Sequence, residues 1–224
     1  MTTSGSATFN PAFDVIIEEA FERAGTELRS GYDLKSARRS LDIMSAEWSN
    51  RGLNLWTVVQ GTIPLIMGTA TYVLPADTID IIEQTIRSGT GTSQTDLDIE
   101  RVGVTQYASI VSKNQTGRPS QVYVERLTAP QVTFWPIPDV SSTYTFVYWR
   151  MRRMQDTGAA TNTADIPARF IPALVSGLAY YVALKRPALE SRVPMLKGIY
   201  DEQFQLAYTE DRDRGSFFVV PYIW

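Results

Sequence analysis

Near the start of the chain, Phe13, Ile16, Ile17, Ala20, Phe21 and Ala24 fall on one side of a 3.6-residue repeat, which predicts an amphipathic helix. Asn10 followed by Pro11 reads as its N-cap and first-turn proline, and Gly25 as its end. A second helix is predicted from about Asp33 to Gly52. It places Leu34, Ala37, Leu41, Met44 and Trp48 on one face and turns Arg38, Arg39, Asp42 and Glu47 elsewhere. Two helices with one polar side each require a partner layer.

From residue 55 the repeat shortens. Residues 57–66, 71–74 and 78–86 are rich in β-branched side chains and are punctuated by Gly61, Pro64, Gly68 and Pro75, so they read as strands. Residues 88–94 form a flexible polar tip joining two strands. A short helix is predicted over residues 105–111, with Tyr107, Ile110 and Val111 inward. Further strands follow at 121–127, 131–135 and 143–151 between turn-forming prolines. In the last of these, Tyr144, Phe146 and Tyr148 alternate with Thr145, Val147, Trp149 and Met151, so both faces are apolar or aromatic. Either one face meets another chain, or the strand is central in a two-layer sandwich.

After a Gly-, Ala- and Thr-rich link at 156–164, helices return. Pro167 and Pro172 confine the next one to a start near residues 169–171, from which it runs to Lys185 and is apolar nearly all round. Ala173, Gly177, Ala179 and Ala183 permit close packing, as in the central member of a bundle. A final helix over about 191–211 turns Val193, Leu196, Tyr200, Phe204 and Ala207 inward and keeps Pro194 in its first turn. The fold class expected is therefore α+β. N- and C-terminal helices (1–54 and 156–211) form one bundle, an antiparallel β subdomain (55–155) is inserted, and an extended tail (212–224) follows.

That tail carries Phe217, Phe218, Val219, Val220, Tyr222, Ile223 and Trp224 after a charged run. Each large apolar side chain is worth roughly 1.5–3 kcal/mol when buried, so the segment is expected to dock. It either folds back on its own core or adds as a strand to a partner sheet.

Composition narrows the chemistry. The chain has no cysteine and no histidine, which excludes disulfides, thiolate chemistry and the commonest general base and transition-metal ligand. A net charge of −3 gives no basic footprint for autonomous nucleic-acid binding. Residues 1–10 are polar and do not read as a signal peptide, and the apolar run at 170–184 is short for a membrane span and interrupted by Ser176 and Gly177, so no membrane anchor is expected. Asp96, Asp98 and Glu100 offer the densest carboxylate spacing, but on a strand they would share one solvated face. No metal, cofactor or catalytic residue is expected from them. Asp211 and Asp213, interleaved with Arg212 and Arg214, read as a mixed-charge helix end. Arg150, Arg152 and Arg153 read as interfacial or salt-bridged. Phosphate-loop, dinucleotide-binding and nucleophile-elbow motifs do not occur.

Three stretches carry a family resemblance: LNLWTVVQGTIPLIMGTATYVLPAD at 53–77, GRPSQVYVERLTAPQVTFWPIPD at 117–139, and DIPARFIPALVSGLAYYVALKRP at 165–187. With the order of elements around them, the chain resembles the head-to-tail adaptor (tail tubular or head-completion) proteins of short-tailed phages, of the T7-like and P22-like kind. The resemblance implies a structural virion protein rather than an enzyme. It implies a dodecameric homo-oligomeric ring that joins the portal protein to the tail nozzle or hub, with DNA passing through the lumen unread. The C-terminal segment, Phe217 to Trp224, would be the portal and subunit anchor, and the β loops would face the tail. Two alternatives remain open at this point: a virion-associated cell-wall hydrolase using a carboxylate pair, and a connector ring subunit of another tailed phage.

Overall fold

The computed structural model describes residues 5, 9–52, 55–89 and 91–212. Two compact units emerge, each with its own apolar core: one gathers the described residues of Met1–Trp56 and Met154–Trp224, the other is the continuous stretch Thr57–Arg153. Mixed α+β architecture with helices at both chain ends is what the hydrophobic pattern predicts.

The first unit is built from α1 (Phe13–Ala24), α2 (Gly31–Asn50), α4 (Ile171–Leu184) and α5 (Val193–Glu210). The predicted inward residues of α1 are all buried. Its capping differs from the expectation, because Ala12, not Asn10, holds the N-cap position, and Pro11 precedes the helix. The orphan N–H groups of the first turn are taken by the 156–164 link: Phe13 N–H donates to Asn162 O at 2.9 Å and Asp14 N–H to Ala160 O at 2.9 Å. A side-chain cap is unnecessary once a backbone loop supplies the acceptors. At the other end Gly25, at φ 85°, closes a Schellman motif in which Thr26 N–H reaches Phe21 O.

α2 starts earlier than expected because Ser30 caps it, accepting from Asp33 N–H, while the Asp33 carboxylate accepts Arg29 N–H. α4 packs against α1, α2 and α5 and is buried over most of its length, as its all-round apolar surface requires. Gly177 lets α5 approach it: a Cβ there would lie 2.8 Å from the Tyr200 ring and 2.4 Å from Met44 Sδ. Trp48 Nε1 donates to the buried Tyr200 hydroxyl at 2.7 Å, and its ring tilts against Phe170 and Phe204. Burial pushes the Tyr200 hydroxyl up to about 12, so it remains a neutral partner for the indole. None of the helices among the described residues is long and apolar enough to cross a membrane.

The second unit is a pair of four-stranded sheets. In the first the order is β1 (Val58–Pro64), β10 (Tyr144–Arg152), β3 (Thr78–Ser88), β4 (Thr95–Asp98). In the second it is β2 (Thr71–Val73), β8 (Gln131–Trp135), β7 (Gln121–Glu125), β5 (Glu100–Val102). β6 (Thr116–Gly117) and β9 (Ile137–Pro138) form a small parallel pair. β10 lies between β1 and β3, the central position its two apolar faces allow. Phe146 and Tyr148 from it enter a core with Ile81 and Ile86 of β3 and Val122, Val132 and Phe134 of the other sheet. Phe134 and Phe146 meet edge to face, 4.9 Å between centroids. Gly61 on β1 sits opposite Tyr148, whose ring covers it.

One local expectation is corrected in this unit, and one detail is added to the antiparallel pattern. The short helix is α3 (Val104–Ser109), and Val111 lies beyond it fully exposed instead of pointing inward. β5 also pairs with β7 in parallel, so the sandwich is not wholly antiparallel.

Candidate docking surfaces

The carboxylates that look closest to a paired acidic site are not brought together. A single strand through Asp96, Asp98 and Glu100 would put all three on one face. Instead the chain buries Ile99 and changes sheets there, ending β4 in one and beginning β5 in the other. Asp96 is held by Arg87 through hydrogen bonds of 2.7 and 2.8 Å, which keep its carboxyl below the usual range, whereas Glu100 accepts from the Gln106 and Gln121 side chains. Among the described residues no cluster of carboxylates is placed to hold a metal ion. Arg150 is salt-bridged as its sequence context suggests, forked onto Asp77 at 2.8 and 3.3 Å, and Arg101 and Arg126 both reach Asp80. The polar tip joins β3 to β4 and carries a single 3-10 turn, Gly91–Ser93.

Phe217, Phe218, Val219, Val220, Tyr222, Ile223 and Trp224 lie outside the described residues. What the structure places is the point they leave from. Asp211 is a correction to the expected mixed-charge helix end: its side chain is fully buried, Oδ2 accepts Leu55 N–H at 3.0 Å, and Oδ1 pairs with Arg169 at the head of α4. Three separate stretches are tied at one carboxylate. No periodicity argument could find it, because Arg169, Leu55 and Asp211 are far apart in sequence.

Two faces of the helical unit are unlike anything in the β unit. On α1 the solvent side carries Asp14, Glu18 and Glu22 at four-residue intervals, with Glu19 paired to Arg23 at 2.7 Å. An apolar cleft of about 280 Å³ opens alongside, between α1 and the start of α4, lined by Phe9, Val15, Ile171, Pro172 and Val175. On α2 the solvent side carries Lys35 and Arg39, with half-buried Arg38 adjacent and Tyr32 and Ile43 exposed above and below. A second cavity of about 290 Å³ opens between this face and the end of α4, where Lys185, Arg186 and Arg39 converge.

Within that cavity Arg186 is committed to Asp33 at 2.9 Å and to Thr26 Oγ1 at 2.6 Å. Burial tends to raise the Asp33 carboxyl, but the Arg29 N–H, the Arg186 charge and the Ser30 hydroxyl outweigh it and hold it below its ordinary value. Lys185 donates to Ser36 O, Ser36 Oγ and Ser40 Oγ. Burial, with the nearby Arg39 charge, pushes its amine below the usual lysine range. The sequence shows these residues only as scattered charges, and the cluster exists because α2 packs against α4.

A family model described as SU10 adaptor protein matches residues 17–219, a span that runs through both units. No curated protein matches the chain.

Proposed function

The chain belongs to the SU10 adaptor protein family, and from that premise we propose that it is a structural subunit of the head-to-tail junction of a tailed bacteriophage. In this reading copies of the chain assemble as a ring, dodecameric as in the adaptors it resembles, between the portal protein and the tail nozzle or hub. DNA passes through the lumen without being read. The observation that carries the reading is the length of the family match, which spans the helical unit, the whole β unit and the return to α4 and α5. A structural role accords with side chains engaged in packing and fixed ion pairs, and a nearly neutral charge balance suits a conduit, since tight phosphate binding would retard DNA.

The division of labour follows from the two units. The helical unit, whose α5 ends at the anchored Asp211, sends residues 217–224 toward the portal, and their apolar side chains supply the attachment. The β unit, with its hairpin loops and the exposed Ile66, Met67 and Val140, serves the tail side.

Truncation tests the assignment directly. A chain lacking residues 216–224 should keep its far-UV circular dichroism and thermal transition, because the described core ends at Asp211. It should no longer decorate portal particles in electron micrographs. Undiminished docking by the truncated chain would overturn the role given to the tail.

A further inference from the structure

The two charged faces of the helical unit are complementary to each other. Asp14, Glu18 and Glu22 lie at i, i+4 and i+8 on α1, a stripe about 12 Å long at 1.5 Å per residue, and none forms an ion pair with a described residue. Like charges at four-residue spacing repel and weaken a helix by a few tenths of a kcal/mol per pair, so the stack is unfavourable unless something cationic faces it. α2 shows the mirror arrangement. Lys35 and Arg39 stand at i and i+4 with Arg38 between, again without an ion-pair partner among the described residues, and Arg38 Nε is buried with no hydrogen bond. Asp42, the nearest acid on that helix, is already taken by the Thr157 N–H and hydroxyl. Each stack flanks exposed apolar surface: Val15 is 51% exposed on α1, and Tyr32 is 72% and Ile43 53% exposed on α2.

We propose that the acidic face of α1 in one copy of this chain docks on the basic face of α2 in the next, with the carboxylates of Glu18 and Glu22 directed at the cavity edged by Arg39 and Lys185. The inference rests on the ring reading above and names the surfaces that close it. The faces are different patches of one chain, so the contact is heterologous and passes from copy to copy, the geometry that generates rings. Ion pairing across the seam sets register and orientation, and Val15, Tyr32 and Ile43 contribute apolar area. Duplex phosphate is the other anion that could meet the basic face. It is disfavoured because the patch offers few cations, with Asp33 and Asp42 beside them, and because it leaves the acidic stack of α1 unanswered.

The absence of cysteine makes the test clean. A chain carrying both Glu18→Cys and Arg39→Cys, treated with a short bismaleimide, should give a ladder of covalent oligomers, while either single variant gives none. A chain with Glu18→Lys and Glu22→Lys, and another with Lys35→Glu and Arg39→Glu, should each lose self-association in sedimentation velocity, with unchanged circular dichroism. Mixed, the two should associate again, and high salt should weaken that association. Absence of the ladder, or reversed variants that assemble as the parent does, overturns the proposal. So does an α2 reversal that abolishes binding of a fluorescent DNA duplex while leaving association intact. Rings on portal particles without the 18–39 cross-link would defeat this contact and spare the adaptor reading, whereas a ladder from a chain that never binds portal would do the opposite.

Discussion

The helical unit and the β unit reach stability by different routes. In the first, three helices drawn from both ends of the chain converge on α4, and the deciding contacts join residues more than a hundred positions apart, as Trp48 does with Tyr200. In the second, every pairing lies within one continuous stretch of chain: β7 pairs with β8 and β3 with β4 as consecutive strands, β10 returns to lie between β1 and β3, and two sheets close over a smaller core. Charges are also used differently. Asp77, Asp80 and Asp96 of the β unit are all neutralised by arginines of the same unit, whereas α1 and α2 leave stacked like charges facing solvent. Aspartates held in fixed ion pairs suit a module that presents loops. An unsatisfied surface suits a module that binds copies of itself.

The largest test of this contrast is to empty each core in turn. Trp48→Ala and Phe134→Ala should each cost about 3–5 kcal/mol in urea denaturation. Hydrogen exchange should show the damage confined: α4 loses protection in the first variant and β10 in the second. Parallel loss in both units would mean that they unfold as one and would break the comparison.

A medium effect is expected at the two glycines that lie under tyrosine rings. Gly177→Ala forces a methyl group between Tyr200 and Met44 in the middle of the bundle and should cost about 1–3 kcal/mol. Gly61→Ala meets the Tyr148 ring from an edge strand, which has room to shift outward, and should lower the melting temperature less.

The smallest effect concerns acid. Asp33 is held below its ordinary value in the folded chain, so it contributes stability that is complete above the usual carboxylate range and is lost as pH falls through the depressed folded value. Asp33→Asn should therefore cost about 0.5–1 kcal/mol at neutral pH and nothing at the acid end of a stability profile. Asp96→Asn, on the exposed Arg87 pair, should show the same sign with a smaller amplitude.

Much of this architecture is legible in the amino-acid order, for reasons that differ between elements. α1 is readable because its six buried residues follow the helical repeat without interruption, and α4 because a stretch of that length that is apolar nearly all round has few other homes. β8 coincides with its predicted span, being bounded by prolines on both sides. The start of α1 is not readable from its own neighbourhood, since its caps come from residues 160–163. Ser30 with Asp33 does carry a local capping signal, which the charged residues before it obscure. The crossing at Ile99 leaves only a small mark, since period-2 alternation holds through Leu97 and Ile99 and slips by one residue at Arg101 and Val102: the pattern records which side is buried, not which sheet does the burying. The docking faces are half legible. Each charged stack is visible along its helix, but their role depends on α2 meeting α4, a fact of tertiary packing alone.

In the β unit, Val58 lies directly opposite Met151, so the first and last strands of the stretch run side by side. A segment whose ends adjoin can be gained, lost or traded by recombination as a single cassette, because the chain that remains is left with a gap only about 5 Å wide to bridge. Exchange of such a cassette would alter the β unit while the helical unit is inherited unchanged.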